Sequence, residues 1–253
     1  MGTVELGLGL VSIGRRWGVR DVAPPSAEAA IALVEAAHAA GLRFFDTAPA
    51  YGDSERLFGL ALGRGTIDPE SITIATKVGE HWNDETGEPF VDHGYDAMMR
   101  SFDRSIDRLG RIDVLQLHKA TAANVDAPEV VRTLERARAA GVGRFGASVS
   151  DVETARIACR SGRYDYLQFP YNIGARHLEP VFALLRECGM KAIVNRPFAM
   201  GGLAADGVAA FRHVLGADFD GVVLTGTSSL AHLTENVAAF RTAQAESARR
   251  SPA

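Results

Sequence analysis

The chain has 253 residues, of which 47% are hydrophobic, and its 27 basic and 31 acidic residues give a formal net charge of −4. This length can bury a large core, in one barrel-sized domain or two ordinary ones, and no linker-like stretch favours two. Without a long basic run, the sequence lacks the electrostatic signature of nucleic-acid binding. It also lacks a signal-peptide pattern and an apolar run of about 18 residues, so we expect a soluble, cytoplasmic protein without a membrane span.

The two cysteines, Cys159 and Cys188, lack C-x-x-C spacing and fall in segments that the pattern predicts as helical. Two buried free thiols are therefore expected rather than a disulfide. Free thiols are consistent with a protein that resides in a reducing compartment.

The first predicted unit is a strand over Leu6–Ile13 followed by a helix over Ser26–Ala40, which Ser26 caps and Gly41 ends. The glycines at 7 and 9 do not continue into a dinucleotide-binding fingerprint, because Ser12 occupies the third glycine position. We interpret them as small residues packed inside a narrow barrel.

The same strand–helix unit recurs along the rest of the chain. The predicted strands are Arg43–Asp46, Ile72–Lys77, Asp113–His118, Arg144–Ser148, Tyr166–Pro170, Lys191–Arg196 and Gly221–Thr225, and the helices are Ser54–Leu62, Tyr95–Leu109, Pro128–Ala140, Val152–Cys159, Leu178–Cys188, Val208–Leu215 and Leu230–Ala245. Eight repeats in a chain near the roughly 250 residues typical of the fold predict an α/β protein with a closed (β/α)₈ TIM barrel. An open, doubly wound sheet is the alternative. The barrel domain is expected to cover residues 1–253, with a short C-terminal tail from about 246.

Polar side chains follow three of these strands where each one ends. Asp46 and Tyr51 follow the second strand, Lys77 ends the third and His118 ends the fourth. Because the carboxyl ends of parallel strands share one edge, we expect the four side chains to converge on one rim.

The longest irregular segment on that rim is 79–94, which contains His81, His93 and several carboxylates. The histidines lack short metal-binding spacing and the carboxylates do not follow a calcium-loop pattern, so we expect a solvated mobile loop and no metal site. Trp82 is a candidate wall of a substrate pocket.

These four residue types suit proton transfer to an oxygen. A lysine cation near a phenol stabilises the phenolate, so Lys77 is expected to lower the pKa of Tyr51 from about 10. Asp46 would pair with Lys77 and keep it charged, and His118 would donate to a carbonyl oxygen. Together they would supply a proton to an oxygen that becomes an alkoxide.

The segment Phe45-Asp46-Thr47-Ala48-Pro49-Ala50-Tyr51-Gly52, with Ile74–Lys77 and Leu115–His118, resembles the aldo-keto reductase family. That motif is an Asp, a Tyr five positions on, a Lys and a His. The resemblance covers nearly the whole chain and implies a nicotinamide-dependent reductase that reduces an aldehyde or ketone to an alcohol, or the reverse. Tyr51 would be the proton donor.

The resemblance also implies cofactor-binding residues. Ser148 and Gln168 would hold the nicotinamide carboxamide, Gly226, Thr227 and Ser228 would meet the adenosine-side phosphate, and Glu235 and Asn236 would meet the adenine. Beside the departure at Asn195, Arg196 is expected to reach the pyrophosphate. His232 stands where an arginine often grips the extra phosphate of NADPH. NADPH is the expected cofactor, and NADH stays possible because a histidine is a weaker, pH-dependent cation than an arginine.

Three departures from the family pattern concern the cofactor. Val149 follows Ser148 where Asn is usual, and Asn195 occupies a position where many members stack an aromatic ring on the nicotinamide. The segment after Pro197 is short, so we expect looser cofactor retention.

Two other functions stay open at the level of sequence. One is a catalytically weak or non-enzymatic nicotinamide-binding barrel, suggested by Val149 and Asn195. The other is an aldolase in which Lys77 forms a Schiff base, which needs a neutral lysine. For the substrate, a small carbonyl compound, the candidate pocket walls are Trp17, Trp82 and Phe198, while Arg15 and Arg16 either meet a polar or anionic tail or are solvated.

Overall fold

Eight parallel strands form a closed barrel in the computed structural model, which describes residues 3–250. The barrel strands are β1 (Val4–Gly9), β2 (Phe44–Asp46), β3 (Thr73–Val78), β6 (Val114–Leu117), β7 (Arg144–Ser148), β8 (Tyr166–Pro170), β9 (Lys191–Asn195) and β10 (Gly221–Gly226), and a separate hairpin is formed by β4 (Glu80–Asn83) and β5 (Glu88–Val91). The barrel strands follow one another in chain order, and β10 pairs with β1 to close the circle. The predicted (β/α)₈ barrel is therefore confirmed, and the open sheet is excluded.

Helices surround the barrel. They are α1 (Val11–Gly14), α2 (Ala27–Ala39), α3 (Ser54–Gly63), α4 (Tyr95–Leu109), α5 (Pro128–Ala139), α6 (Val152–Ser161), α7 (Pro180–Cys188), α8 (Gly207–Leu215) and α9 (Leu230–Arg250). Ser26 caps α2 by accepting a hydrogen bond from the Ala29 amide, as the sequence predicts. Gly162 ends α6 in the left-handed conformation, which favours glycine. Within residues 3–250, no helix has the length and apolarity needed to cross a membrane.

The core has two layers. Inside the barrel, a small cluster contains Phe44, Ala75, Val114, Tyr166, Ile193, Val222 and Leu224. A larger cluster fills the space between strands and helices. A Cβ atom on Gly7 would lie 2.8 Å from Val222 Cγ1 and 2.9 Å from Phe44 O, so this position accepts no side chain. The interpretation of Gly7 as a packing residue is confirmed.

Several predicted boundaries differ from those in the structure. The first strand ends at Gly9, where the short helix α1 takes over, and the seventh helix begins at Pro180, at its proline N1 position. The last helix continues to Arg250, so the predicted tail from about 246 is helical as far as the structure describes it.

Two expectations about burial also need correction. The segment 79–94 is exposed over most of its length, but it is not a wholly irregular, solvated loop, because it contains the β4–β5 hairpin, on which Glu80 and His81 are buried. Cys159 is buried but Cys188 is exposed, although both thiols are free as expected. Burial and the neighbouring Cys188 raise the pKa of the Cys159 thiol to about 12.

Candidate active site

The structure brings the four predicted rim residues together. Lys77 Nζ donates to Asp46 Oδ2 over 2.6 Å and to Thr47 O over 2.8 Å. The same nitrogen lies 4.9 Å from the centroid of the Tyr51 ring. The Tyr51 and His118 rings meet edge to face, with centroids 5.7 Å apart. The residues therefore form one cluster at the carboxyl ends of β2, β3 and β6.

The turn that carries Tyr51 is clamped by α1. Gly14 lies so close that a Cβ atom there would be 2.0 Å from Tyr51 O. Gly14 O also accepts a hydrogen bond from the Asp53 amide over 3.2 Å, and the Ser54 hydroxyl donates to Leu10 O over 3.0 Å. These contacts fix the Tyr51 turn against α1 and the residue before it.

Asp46 sits in a network that compensates for its burial. Its Oδ2 pairs with Lys77, and its Oδ1 accepts from Gln116 Nε2 over 2.8 Å and from Gln168 Nε2 over 3.0 Å. A buried carboxylate is tolerated when a cation and further donors satisfy it in this way. Sequence reasoning missed Gln116, although it is a polar residue inside the otherwise apolar strand β6.

Lys77 is fully buried and stays charged. Burial opposes the charge, but the Asp46 carboxylate and the Tyr51 hydroxyl together raise the pKa of Lys77 above its usual value. A lysine whose pKa is raised is an ammonium ion at neutral pH, which disfavours Schiff-base formation.

The expected direction of the Tyr51 pKa is wrong. Tyr51 keeps part of its surface exposed, yet burial is the largest influence and raises the pKa of its hydroxyl. The Lys77 cation lowers this pKa by less, and the Asp46 and Glu80 carboxylates raise it further. Tyr51 is therefore a protonated phenol at neutral pH.

His118 is a buried, neutral imidazole. Burial, followed by the cations Lys77, Lys119 and Arg15, holds the pKa of His118 well below its usual range. Its Nδ1 lies 3.0 Å from Glu80 Oε2 but without hydrogen-bond geometry, so the contact is an ion pair only if the ring is protonated. Glu80 was missed because its segment was taken for a loop.

The two histidines of the hairpin segment have structural partners. His81 Nδ1 lies 2.6 Å from Ser101 Oγ, and its Nε2 lies 2.8 Å from Asp92 O. His93 Nε2 lies 2.8 Å from His118 O and thereby holds the backbone of the active-site histidine. Among residues 3–250, no group of three or more side chains is placed to hold a metal ion.

The expected cofactor residues lie along the remaining part of the rim. They are Ser148 on β7, Gln168 on β8, Arg196 after β9, Gly226 at the end of β10, Thr227 and Ser228 after it, and His232, Glu235 and Asn236 on α9. Strand register places Ser148 beside Gln168. Gly226, His232 and Glu235 are exposed, whereas the Asn236 amide donates to Thr225 Oγ1 over 2.7 Å. Gln168 is buried and belongs to the Asp46 network, so only part of this set is open to solvent.

Trp17 and Trp82 flank the mouth of the site around Arg15. The Arg15 guanidinium carbon lies 5.3 Å from the centroid of the Trp17 ring, 5.8 Å from that of Trp82 and 5.9 Å from that of Tyr51. Arg16 is solvated and pairs with Asp21.

Phe198 does not join this wall. It is buried in the outer core, where its ring packs against Phe211 with centroids 4.9 Å apart.

Residues 5–208 match the model of the Aldo/keto reductase family. The chain belongs to this family. It is therefore an NAD(P)-dependent oxidoreductase acting on carbonyl and alcohol groups, as the sequence resemblance implies. Pyridoxal 4-dehydrogenase of Microbacterium luteolum is 31% identical over 248 residues, a match that covers 79% of this chain and 68% of that protein.

Two further relatives support the family and the fold. L-galactose dehydrogenase of Arabidopsis thaliana is 26% identical, over 80% of this chain and 64% of that protein. The crystal structure of a proposed aldo-keto reductase from Pseudomonas aeruginosa superimposes with a TM-score of 0.81 at 30% identity, covering 94% of this chain and 90% of that one. The aldo/keto reductase barrel thus extends over nearly all of the chain.

Proposed function

We propose that this aldo/keto reductase reduces an aldehyde or ketone to an alcohol with NADPH, and that Tyr51 donates the proton. The observation that carries the proposal is the position of Tyr51 beside a buried, charged lysine at the mouth of the barrel. In that place a protonated phenol can donate to a carbonyl oxygen, and the phenolate left behind is stabilised by Lys77. Asp46 holds Lys77 in position through the 2.6 Å ion pair.

His118 has a separate role in this proposal. Because its imidazole is neutral, it has one N–H to donate, and it lies against the Tyr51 ring. A donor there would orient the carbonyl oxygen towards the Tyr51 hydroxyl without competing as an acid. Glu80 would influence the pair electrostatically, since its carboxylate raises the pKa of Tyr51.

The residues on the remaining rim fit a nicotinamide. The buried Oδ1 atom of Asn195, at the end of β9, has no hydrogen-bond partner among the described residues, and Ser148 is half-buried two strands away. A carboxamide can satisfy such an acceptor with its N–H₂ group. When bound, the reduced nicotinamide supplies the hydride that reduces the carbonyl carbon.

NADPH is the cofactor we propose, with NADH as the alternative. An aldo/keto reductase of Klebsiella pneumoniae that has the same fold, with a TM-score of 0.71 at 23% identity over 93% of this chain and 85% of that one, was crystallised with NADP. His232 is exposed on the first turn of α9, where a cation could meet the extra phosphate. The short segment between β9 and α8 supports the proposal that the cofactor is retained loosely.

The test is oxidation of NADPH and NADH, followed at 340 nm, with a panel of small aldehydes and ketones, and with identification of the alcohol product. Turnover with alcohol formation supports the proposal. Nucleotide binding without turnover of any carbonyl compound would support the non-enzymatic barrel instead. The cytoplasmic location stays a prediction, which cell fractionation can check.

A further inference from the structure

Arg15 is held in an unusual place for a cation. Its guanidinium group lies between Trp17 and Trp82 and close to the Tyr51 ring, with three ring centroids 5.3 to 5.9 Å from the guanidinium carbon. One η nitrogen donates to Ala50 O over 3.2 Å, which ties the side chain to the turn that carries Tyr51. Cation–π contacts and this hydrogen bond fix the direction of the group.

The guanidinium group nevertheless lacks a charge partner. No carboxylate within residues 3–250 forms an ion pair with Arg15, and its buried Nε has no hydrogen-bond acceptor there. Its neighbour Arg16 differs, since it pairs with Asp21 in solvent. A fixed guanidinium with unused donors is suited to bind a planar anion such as a carboxylate with two hydrogen bonds.

Two neighbouring cations are already paired, whereas the exposed Arg196, whose guanidinium carbon lies 5.7 Å from the centroid of the Trp17 ring, forms no ion pair within residues 3–250 and is the cation expected to reach the cofactor pyrophosphate. Lys77 is neutralised by Asp46, and the Nζ atom of Lys119 lies 3.7 Å from the Oε1 atom of Glu80. His118 is neutral, and the Arg15 cation is among the groups that lower its pKa. Arg15 therefore contributes an uncompensated positive charge beside the proposed proton donor.

We propose that Arg15 binds an anionic oxygen group on the carbonyl substrate, so that the preferred substrates are small aldehydes or ketones that carry a carboxylate or a phosphate. This inference rests on the proposed function, because it assigns the substrate class of the same site. The aromatic rings of Trp17 and Trp82 would cover the carbon skeleton while Arg15 meets the anion. Since the guanidinium lies beside Tyr51, the anion and the carbonyl would belong to one short skeleton.

The first experiment compares matched substrates. 4-Carboxybenzaldehyde is compared with the neutral 4-nitrobenzaldehyde, and glyceraldehyde 3-phosphate with glyceraldehyde, in the unaltered enzyme and in Arg15→Met. The unaltered enzyme should have the lower KM for at least one anionic member. Arg15→Met should raise that KM about 10- to 100-fold, because a charge-assisted hydrogen-bonded pair is lost, while KM for the neutral member changes less than about twofold.

Two variants serve as controls. Arg16→Met removes a neighbouring, solvated cation and should leave both substrates unaffected. Arg15→Lys keeps the charge and should recover part of the preference. An equal loss of kcat for anionic and neutral substrates in Arg15→Met would mean that Arg15 only supports the Tyr51 turn, and this result would overturn the proposal. Comparing the carboxylate-bearing and phosphate-bearing substrate pairs shows which of the two anions the enzyme prefers.

A binding measurement separates this proposal from the proposed function. The chain has two tryptophans, and both contact Arg15, so tryptophan fluorescence reports on this pocket directly. Propionate and inorganic phosphate are titrated, with the neutral propionamide as the control. If no carbonyl compound is turned over, a saturable change with either anion that Arg15→Met abolishes still supports an anion site. The same response in Arg15→Met, or no response to either anion, would overturn it.

Discussion

The two halves of the barrel rim differ in how completely they are assembled. On the half formed by β2, β3 and β6, Asp46, Lys77 and His118 are at most 6% exposed and closely packed. On the half formed by β9, β10 and α9, Arg196, His232 and Glu235 are exposed. The fold itself therefore organises the proposed proton-transfer group, whereas the side chains proposed to bind the cofactor on the second half are exposed and must still be engaged by a ligand. Substitutions on the first half should therefore reduce kcat, and those on the second half should change nucleotide affinity.

The largest effect is expected from Lys77→Met. It removes the cation that stabilises the phenolate of Tyr51, so kcat should fall by about 10²- to 10⁴-fold. Steady-state kinetics at saturating nucleotide measures this change. The matched control is Lys191→Met at the start of β9, on the opposite rim, where the lysine is exposed. A comparable loss of kcat in Lys191→Met would mean that the effect of Lys77→Met is not specific to the half of the rim that holds Tyr51.

Asp46→Asn tests how strongly the assembled half depends on its buried ion pair. Removing the partner of a buried cation should lower the free energy of unfolding by about 3–5 kcal/mol. Asp53→Asn breaks the exposed pair with Arg56 and should cost less than about 1 kcal/mol. Urea denaturation of both variants measures the difference, and equal values would show that the buried pair does not stabilise this half of the rim.

The pH dependence follows from the raised pKa of Tyr51. Reduction needs the protonated phenol, which persists until the pH rises through a pKa above 10.0, so the rate of reduction should stay flat from about pH 6 to 9. Alcohol oxidation needs the phenolate, so its rate should increase about tenfold per pH unit over the same range. Both profiles are checked by measuring the rates of carbonyl reduction and of alcohol oxidation across this pH range. An oxidation rate that levels off near neutral pH would indicate that Lys77 lowers the pKa of Tyr51 after all.

The smallest effects are expected on the open half. His232→Ala and Glu235→Ala should each weaken nucleotide binding by about tenfold or less, because exposed polar contacts contribute roughly 0.5–1.5 kcal/mol. Both should leave kcat within about twofold. Thr234→Ala, also exposed on α9, is the control for helix stability. Isothermal titration with NADPH and NADH gives the affinities, and a large loss of kcat would mean that this half also takes part in proton transfer.

Strand ends and their spacing were enough to predict that Asp46, Tyr51, Lys77 and His118 are neighbours, because parallel strands of a barrel share one rim. Glu80 was not predicted as a site residue because the glycines at 79 and 87 made the segment look irregular, although it contains a short hairpin. The sign of the Tyr51 pKa shift could not be predicted, since it depends on the balance between lost water and the Lys77 cation. The unpaired state of Arg15 depends on which carboxylates the fold brings near, and sequence alone does not reveal this.

The most direct test of proton donation by Tyr51 is to measure kcat and the nucleotide dissociation constant on one preparation of Tyr51→Phe. We expect kcat to fall by about 10²- to 10⁴-fold while the dissociation constant changes less than about twofold, because only the proton donor is lost. A kcat close to that of the unaltered enzyme, or equal losses of turnover and nucleotide affinity, would contradict the role of Tyr51 as the proton donor.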